Sequence, residues 1–586
     1  MRRGLAVSPG VAVGTAYCIH EIYFDRQAQP LEDDQVVQEW DRFERALERT
    51  AADLRALHHK VATQVGPDEA EIFHAHETIL RDPAFLAKVN DWIVNQRQRA
   101  EAALHHVMND YTSLFARTKD EYLKERLADI RDVIVRLSGH LSPVLQAGSK
   151  IISGPLIVVA DELLPSHVVA LGDREVVGIV TQAGGRTSHA AILARGRGIP
   201  AVSGVSGILR HVKNGDVVVV DGREGHVLVN PDSETESAYR KLQREFVDLK
   251  DHLAENRDHP AVTADGIRLE LLANINNVSD AKAAAAMGAS GIGLFRTEYL
   301  FLTHPSVPDE EEQLRVYREI IAASPNHNIT IRTLDLGGDK TIPYLGHSRQ
   351  ANPFLGWRSI RLSFEHPEFF MTQIRAVLRA AASEEGRKKK VRLMFPMITT
   401  LEEMRKVRGM VNRCKRVLDV ARMPYGRVEI GLMLEVPAAA VSIDSLLEEV
   451  DFVSIGSNDL VQYLMAADRD NPKVSHLCQP LSPAVLRVLA GVIRHCRRAR
   501  KPVTLCGEMA ALPRGFVLLF GMGLRRFSMS PAFIPSIKEL AMHLTKAKAK
   551  EVLSEALKLR TTQEVLDFMG RQVHALCPSL DLMDSA

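Results

Sequence analysis

The chain has 586 residues, more than one hydrophobic core serves, so two to four domains are expected; 46% hydrophobic and 25% charged residues fit an ordinary soluble globular protein. Lys+Arg number 74 against 73 Asp+Glu, a net charge of +1 with one short basic run at 387–390, which gives no support to a nucleic-acid partner. Six scattered cysteines without a C-x-x-C pair point to a reduced, cytoplasmic chain rather than a disulfide framework or a zinc site; the turn residues that follow Arg2-Arg3 lead us to expect no signal peptide, and no uninterrupted apolar stretch is long enough for a bilayer.

Residues 5–19 are short and strand-like, punctuated by Pro9, Gly10 and Gly14. Over 31–143 apolar residues recur at spacings of three and four, which predicts a bundle of antiparallel helices. Val36, Val37, Trp40, Phe43 and Leu47 form one predicted stripe, and Leu104, Val107, Met108, Tyr111 and Leu114 another. Between 155 and 230 the texture switches to short β runs (PLIVVA, VVGIV, DVVVVD, HVLVN) separated by glycine-rich turns. The pattern predicts an α/β domain built from 1–30 and 144–232, with the helical bundle inserted after its first strand. Residues 233–260 read as a linker helix. From 261 to 586 strand and helix alternate, with eight strand candidates at 268–274, 291–295, 328–334, 391–396, 428–434, 451–456, 502–506 and 525–529. Eight such units predict a closed (β/α)₈ barrel, and the whole chain an α/β multidomain protein.

Barrels of this kind carry their chemistry at the C-terminal ends of the strands. Reading those ends in turn yields Arg296 and Glu298 after the second strand, then Arg332, Asp335, a Gly337-Gly338 turn and Lys340 around the third. The fifth ends at Glu435, the sixth leads into Asn458, Asp459 and Arg469, and the seventh ends at Cys506, before Gly507 and Glu508. Glu435 and Asp459 are hard oxygen donors suited to Mg²⁺. Arg296, Arg332 and Arg469 make forked bonds to phosphate and carboxylate. A small phosphorylated carboxylate on Mg²⁺ is the ligand this set describes. A second constellation, GGRTSHAAILARGRGIPAVSG at 184–204, places His189 at the first turn of a predicted helix, where backbone N–H groups and the helix dipole favour a phosphate on its ring.

GGRTSH with ILARGRGIPAV resembles the phosphohistidine domain of the phosphoenolpyruvate-utilising enzymes. GIGLFRTEYLF, IRTLDLGGDK, NPFLGWRSIR, LEVPAAA, SIGSNDLVQY, AADRDNPKVS and CGEMA resemble the phosphoenolpyruvate-binding barrel of the same superfamily. EIFHAHETILRDP (71–83) is similar to the helical segment with which Enzyme I of the bacterial sugar phosphotransferase system receives the small carrier protein HPr. The absence of an ATP-grasp region favours Enzyme I over the related synthase and dikinase. A nitrogen-related regulatory branch and a non-catalytic scaffold that keeps the fold are the remaining readings. Two departures stand out: Val168 occupies a position where the family commonly has a hydroxyl, and Ala511-Leu512 follows CGEMA where Gly-Asp is usual.

The resemblance implies a swivelling phosphohistidine domain at 1–30 and 144–232, an HPr-binding insertion at 31–143, and a phosphoenolpyruvate-binding barrel at 261–586. It implies transfer of the phosphoryl group of phosphoenolpyruvate to His189 and on to HPr, with release of pyruvate. Mg²⁺ on Glu435 and Asp459, substrate on Arg296, Arg332, Asn458, Asp459 and Arg469, and Cys506 as proton donor complete the implied site. A cytoplasmic homodimer joined through the barrel, with no nucleic acid and no membrane insertion, is the implied assembly.

Overall fold

The computed structural model describes residues 2–582 except 9, 20–30, 65–66, 117–120, 142–153, 164–173, 184–193, 195–197, 303–306, 327, 338–351, 470 and 472. His189 with its loop, Val168 and Lys340 therefore lie outside the described residues. The chain forms two compact units, 1–246 and 247–584.

The first unit is built on an eight-stranded mixed sheet of β1 (Arg2–Arg3), β2 (Leu5–Ser8), β3 (Val11–Ile19), β4 (Leu156–Ala160), β5 (Val176–Thr181), β6 (Ala201–Ser203), β7 (Val217–Asp221) and β8 (His226–Val229), in the order β1-β8-β7-β3-β4-β5-β6-β2. The four central strands β3-β4-β5-β6 are parallel, which requires both faces to be covered; β4, LIVVA, is accordingly buried at every position. The flanking strands β7, β8, β1 and β2 pair antiparallel.

Between β3 and β4 the chain makes the helices α1 (Asp33–Gln64), α2 (Pro67–Leu80), α3 (Pro83–Asn90), α4 (Ala100–Ala116) and α5 (Glu121–Leu141), with a π-helical turn at Asp91–Asn95. Their core holds Phe43, Leu54, Phe73, Leu80, Phe85, Leu104, Val107, Val133 and Leu137. One predicted stripe member is displaced: Val37 is 68% exposed. At about 100° per residue Val36, Trp40, Phe43 and Leu47 fall within roughly 60° of one another, and Val37 stands about 90° from the centre of that stripe, at its solvent edge. Of the segment 71–83, Phe73, His76 and Leu80 are buried in the bundle. His76 sits between Asp129 (3.3 Å) and Asp132 (3.7 Å), and Asp82 caps α3 by accepting from Ala84 N and Phe85 N. His74 and Thr78, by contrast, accompany the turns of α2 that are less deeply covered.

The helix Ser233–Glu255 carries the chain from the first unit into the second. There the strands β9 (Glu270–Ile275), β10 (Ile292–Arg296), β11 (Asn328–Arg332), β12 (Lys390–Phe395), β13 (Glu429–Leu434), β14 (Phe452–Ile455), β15 (Val503–Leu505) and β16 (Arg526–Met529) close a parallel barrel, each on one of the eight predicted segments. The third strand stops at Arg332, two residues short of expectation, which releases Thr333 and Leu334 into the rim loop. Leu294, Met394, Met433, Phe452 and Cys506 fill the barrel, while the larger aliphatic core lies between strands and helices. Among the described residues no helix is long and apolar enough to cross a membrane, and all six cysteines are free thiols.

Candidate active site

Strand register brings the site together before any side chain is considered. Arg296 and Arg332, the last residues of β10 and β11, are direct neighbours in the parallel ladder. Like charges placed opposite one another are unfavourable unless an anion or carboxylate lies between them. Arg332 is buried; its Nη2 donates to Glu298 Oε1 at 2.8 Å and its Nη1 lies 3.1 Å from Asp335 Oδ2. Burial alone would lower its pKa, but the carboxylates of Glu298, Asp335, Glu435 and Asp459 outweigh it and raise the value. Arg296 is the opposite case. Burial first, then the charge of Arg332, lower its pKa, and its guanidinium has no ion-pair or hydrogen-bond partner among the described residues. A desolvated arginine without a partner among the described residues, beside a second arginine, is a place for an anion.

Two helices and their loops extend the array. Glu298 opens the short helix Glu298–Leu302, and its Oε1 also accepts from Asp335 N at 2.9 Å. Arg358, buried, donates from Nη2 to both oxygens of Asp335 (3.0 and 3.1 Å) and from Nη1 to Tyr463 Oη (3.2 Å), while that hydroxyl donates to Phe354 O at 2.7 Å. Arg358 Nη2 lies 3.7 Å from Asp459 Oδ2, and Arg469 Nη1 lies 3.8 Å from Asp459 Oδ1. Charges thus alternate from Glu298 through Arg332, Asp335, Arg358 and Asp459 to Arg469. Gly337 permits the approach of Arg358: its φ is +101°, and a Cβ there would fall 2.6 Å from that of Arg358.

Glu435 follows β13 and is buried, with Oε1 accepting from Met397 N at 2.5 Å. Burial, then the negative charges of Asp459 and Asp335, raise its pKa to about 8. Asp459 enters the helix Ser457–Met465, and its buried Oδ1 has no hydrogen-bond partner among the described residues. Two adjacent carboxylates, one resisting ionisation and the other with an unsatisfied oxygen, fit a hard divalent cation, which would relieve both conditions. Unpartnered buried atoms also include Arg332 Nε, Arg358 Nε, Glu298 Oε2 and Ser457 Oγ, all on this rim.

Asn458 is partly structural, since its Oδ1 accepts from Glu508 N at 3.0 Å and so joins the loop after β14 to the loop after β15. That closeness requires Gly507, where a Cβ would lie 1.7 Å from Ser457 Oγ. Cys506 packs in the barrel, with Sγ donating to Ile455 O at 3.4 Å. Burial pushes the thiol pKa up, opposed by Ser454, Arg332 and Arg296, so the group stays a protonated donor at neutral pH. Ala511 and Leu512 are accommodated in the turn after Glu508: Ala511 N donates to Glu508 O, and Leu512 O accepts from Phe516 N at the start of the next helix.

The rim therefore assembles Arg296, Arg332, Glu435, Asn458, Asp459, Arg469 and Cys506. Arg358 and Tyr463 are the residues that strand-end reasoning missed, because both sit beyond the strand ends, Tyr463 within a helix. The available signal was the segment NPFLGWRSIR, an arginine set among apolar residues and a glycine.

Comparison with known proteins agrees along the chain. Family models described as PEP-utilising enzyme, N-terminal, mobile domain and PEP-binding domain match residues 3–126, 152–225 and 250–546. A phosphoenolpyruvate-protein phosphotransferase of Bacillus sp. (strain S) is 40% identical over 97% of this chain and 97% of its own length. That of Geobacillus stearothermophilus is 40% identical over the same shares, and that of Bacillus subtilis (strain 168) is 37% identical over 97% of this chain and 98% of its own.

Proposed function

This chain belongs to the phosphoenolpyruvate-protein phosphotransferases, and from that premise we propose that it passes the phosphoryl group of phosphoenolpyruvate to its own His189, then to a histidine of an HPr-class carrier, releasing pyruvate. The observation that carries the reading is the neighbouring pair Arg296 and Arg332 beside the buried carboxylates Glu435 and Asp459. The same reading makes the protein a cytoplasmic homodimer joined through the barrel, at the head of a sugar phosphotransferase chain.

Arg296, Arg332 and Arg469 hold the phosphoryl and carboxylate oxygens of the substrate, and Arg358 steadies Asp335 and Asp459 between them. Glu435 and Asp459 would hold Mg²⁺, which supplies neutralisation of the charge spread over the phosphoryl oxygens. The neutral imidazole of His189 forms an Nε2–P bond as the bridging P–O bond breaks, and that electron pair leaves with the enolate of pyruvate. Cys506 donates its thiol proton to the enolate methylene carbon and is reprotonated from solvent. Positioning and charge stabilisation do most of the work. In the test, incubation with phosphoenolpyruvate and Mg²⁺ places one acid-labile, base-stable phosphate on His189 and releases one pyruvate per label. A label found on another residue overturns the assignment.

The proton-donor role of Cys506 is separable from packing. Cys506→Ala is expected to slow pyruvate formation by about 10²-fold or more, the usual weight of a general acid, while exchange between phosphorylated HPr and His189 is unchanged. Because the folded thiol pKa is raised, the donor form persists through neutral pH, and activity lost to its deprotonation falls above the ordinary cysteine range. Normal pyruvate turnover in a variant with a lowered Tm would remove Cys506 from the mechanism.

A further inference from the structure

The geometry points to a second cation site, for a thiophilic divalent ion of the zinc class, formed by Glu539, His543 and Cys577 on the barrel unit. Carboxylate, imidazole and thiol ligand atoms of these three residues all lie within 4.8 Å of one another. Glu539 and His543 stand four residues apart at the end of the helix Ile534–Met542, hence on one face, with His543 Nε2 3.0 Å from Glu539 Oε1. Cys577 is the C-cap of the helix Thr562–Leu576, buried, with Sγ 3.3 Å from Ser579 Oγ. A tetrahedral zinc ion with bonds of about 2.0–2.3 Å sets its ligand atoms roughly 3.5 Å apart. His543 Nε2 and Glu539 Oε1 already lie 3.0 Å apart, and the Cys577 thiol, within 4.8 Å of both, needs to approach by about 1 Å to reach that spacing.

Ligand chemistry sets the class of ion. One thiolate, one imidazole and one carboxylate are the mixed donors that zinc accepts and that Mg²⁺, which prefers oxygen alone, does not. An outer partner is already in place: Asn256 Nδ2 donates to Glu539 Oε2 at 2.6 Å, which orients the carboxylate and leaves Oε1 toward His543. The site is remote from the catalytic rim. The helix Ile534–Met542 follows β16 and runs back, so that Leu544 O meets Ala264 N and Lys538 Nζ donates to Arg257 O, both ahead of β9. An ion here ties the final helix to its neighbour and, through Asn256, to the turn that follows the helix Ser233–Glu255. Sequence spacing concealed it, because the thiol comes from a different helix than the other two ligands, with no C-x-x-C or H-x-x-x-H signature.

Cobalt(II) is the probe, since thiolate ligation gives it an intense charge-transfer absorption. Titration of the full-length protein in Mg²⁺ buffer is expected to show that absorption saturating at one equivalent and disappearing when Zn²⁺ is added. Cys577→Ser should remove the band, and His543→Gln, a change at an exposed edge, should weaken binding by about 100-fold or more while leaving Tm of the metal-free protein and phosphoenolpyruvate turnover unchanged. Glu435→Gln should keep the band. Absence of a thiolate band in the wild-type protein, or a band of undiminished affinity in both Cys577→Ser and His543→Gln, overturns the assignment.

Discussion

Replacing His189 by alanine is expected to abolish pyruvate formation from phosphoenolpyruvate, by more than about 10⁴-fold, as loss of a covalent nucleophile does. Substrate binding should survive. The reason is the division of labour along the chain: His189 belongs to the unit 1–246, whereas Arg296, Arg332, Glu435, Asp459, Arg469 and Cys506 all belong to 247–584. Isothermal titration of the variant with phosphoenolpyruvate and Mg²⁺ should give an affinity within a few-fold of the wild-type protein, while a pyruvate assay reads zero. Loss of both would mean that the imidazole is part of the binding site; retained turnover would mean that another residue accepts the phosphoryl group.

The same division explains what could be read from residues alone. Barrel strands announce themselves, because a parallel strand buried on both faces is a short continuous apolar run such as IGLF (292–295) or IGLML (430–434). Their C-terminal ends then locate Arg296, Arg332, Glu435 and Cys506 without further information. Arg358 and Tyr463 were hidden by the same logic: each reaches the rim from beyond a strand end, and only the contacts of Arg358 with Asp335 and of Tyr463 with Arg358 reveal their place. In the helical bundle, periodicity located Phe43 and Leu104 but not the outward turn of Val37, since neighbouring apolar residues are ambiguous until the helix has a defined face. His76 shows the limit of motif reading, because within a segment similar to a partner-recognition motif it serves as a buried link between α2 and the acids of α5.

Neutralising the paired carboxylates is the other change of large effect. Glu435→Gln and Asp459→Asn are each expected to lower phosphoenolpyruvate-dependent phosphorylation by about 10²–10³-fold, the scale of losing one preorganised electrostatic partner of the transition state. Glutamine is chosen because its carbonyl oxygen can still accept from Met397 N, so the fold is preserved. A readout independent of activity accompanies this. Mg²⁺ at 100 times its Kd is expected to stabilise the folded wild-type protein by about 2.7 kcal/mol through linkage, and that increment should vanish in both variants. In EDTA the sign reverses for Glu435. Its folded pKa is raised to about 8 by burial and by Asp459, above the ordinary value of 4.5, so the folded chain holds a proton that the unfolded chain has released between those limits. Stability from this group is full below the ordinary value and is lost as pH rises through about 8. Glu435→Gln removes that dependence, so in EDTA its Tm relative to the wild-type protein should climb between about pH 5 and pH 8.5. A flat difference across that range, together with an intact Mg²⁺ response, would show that Glu435 neither carries the buried proton nor binds the cation.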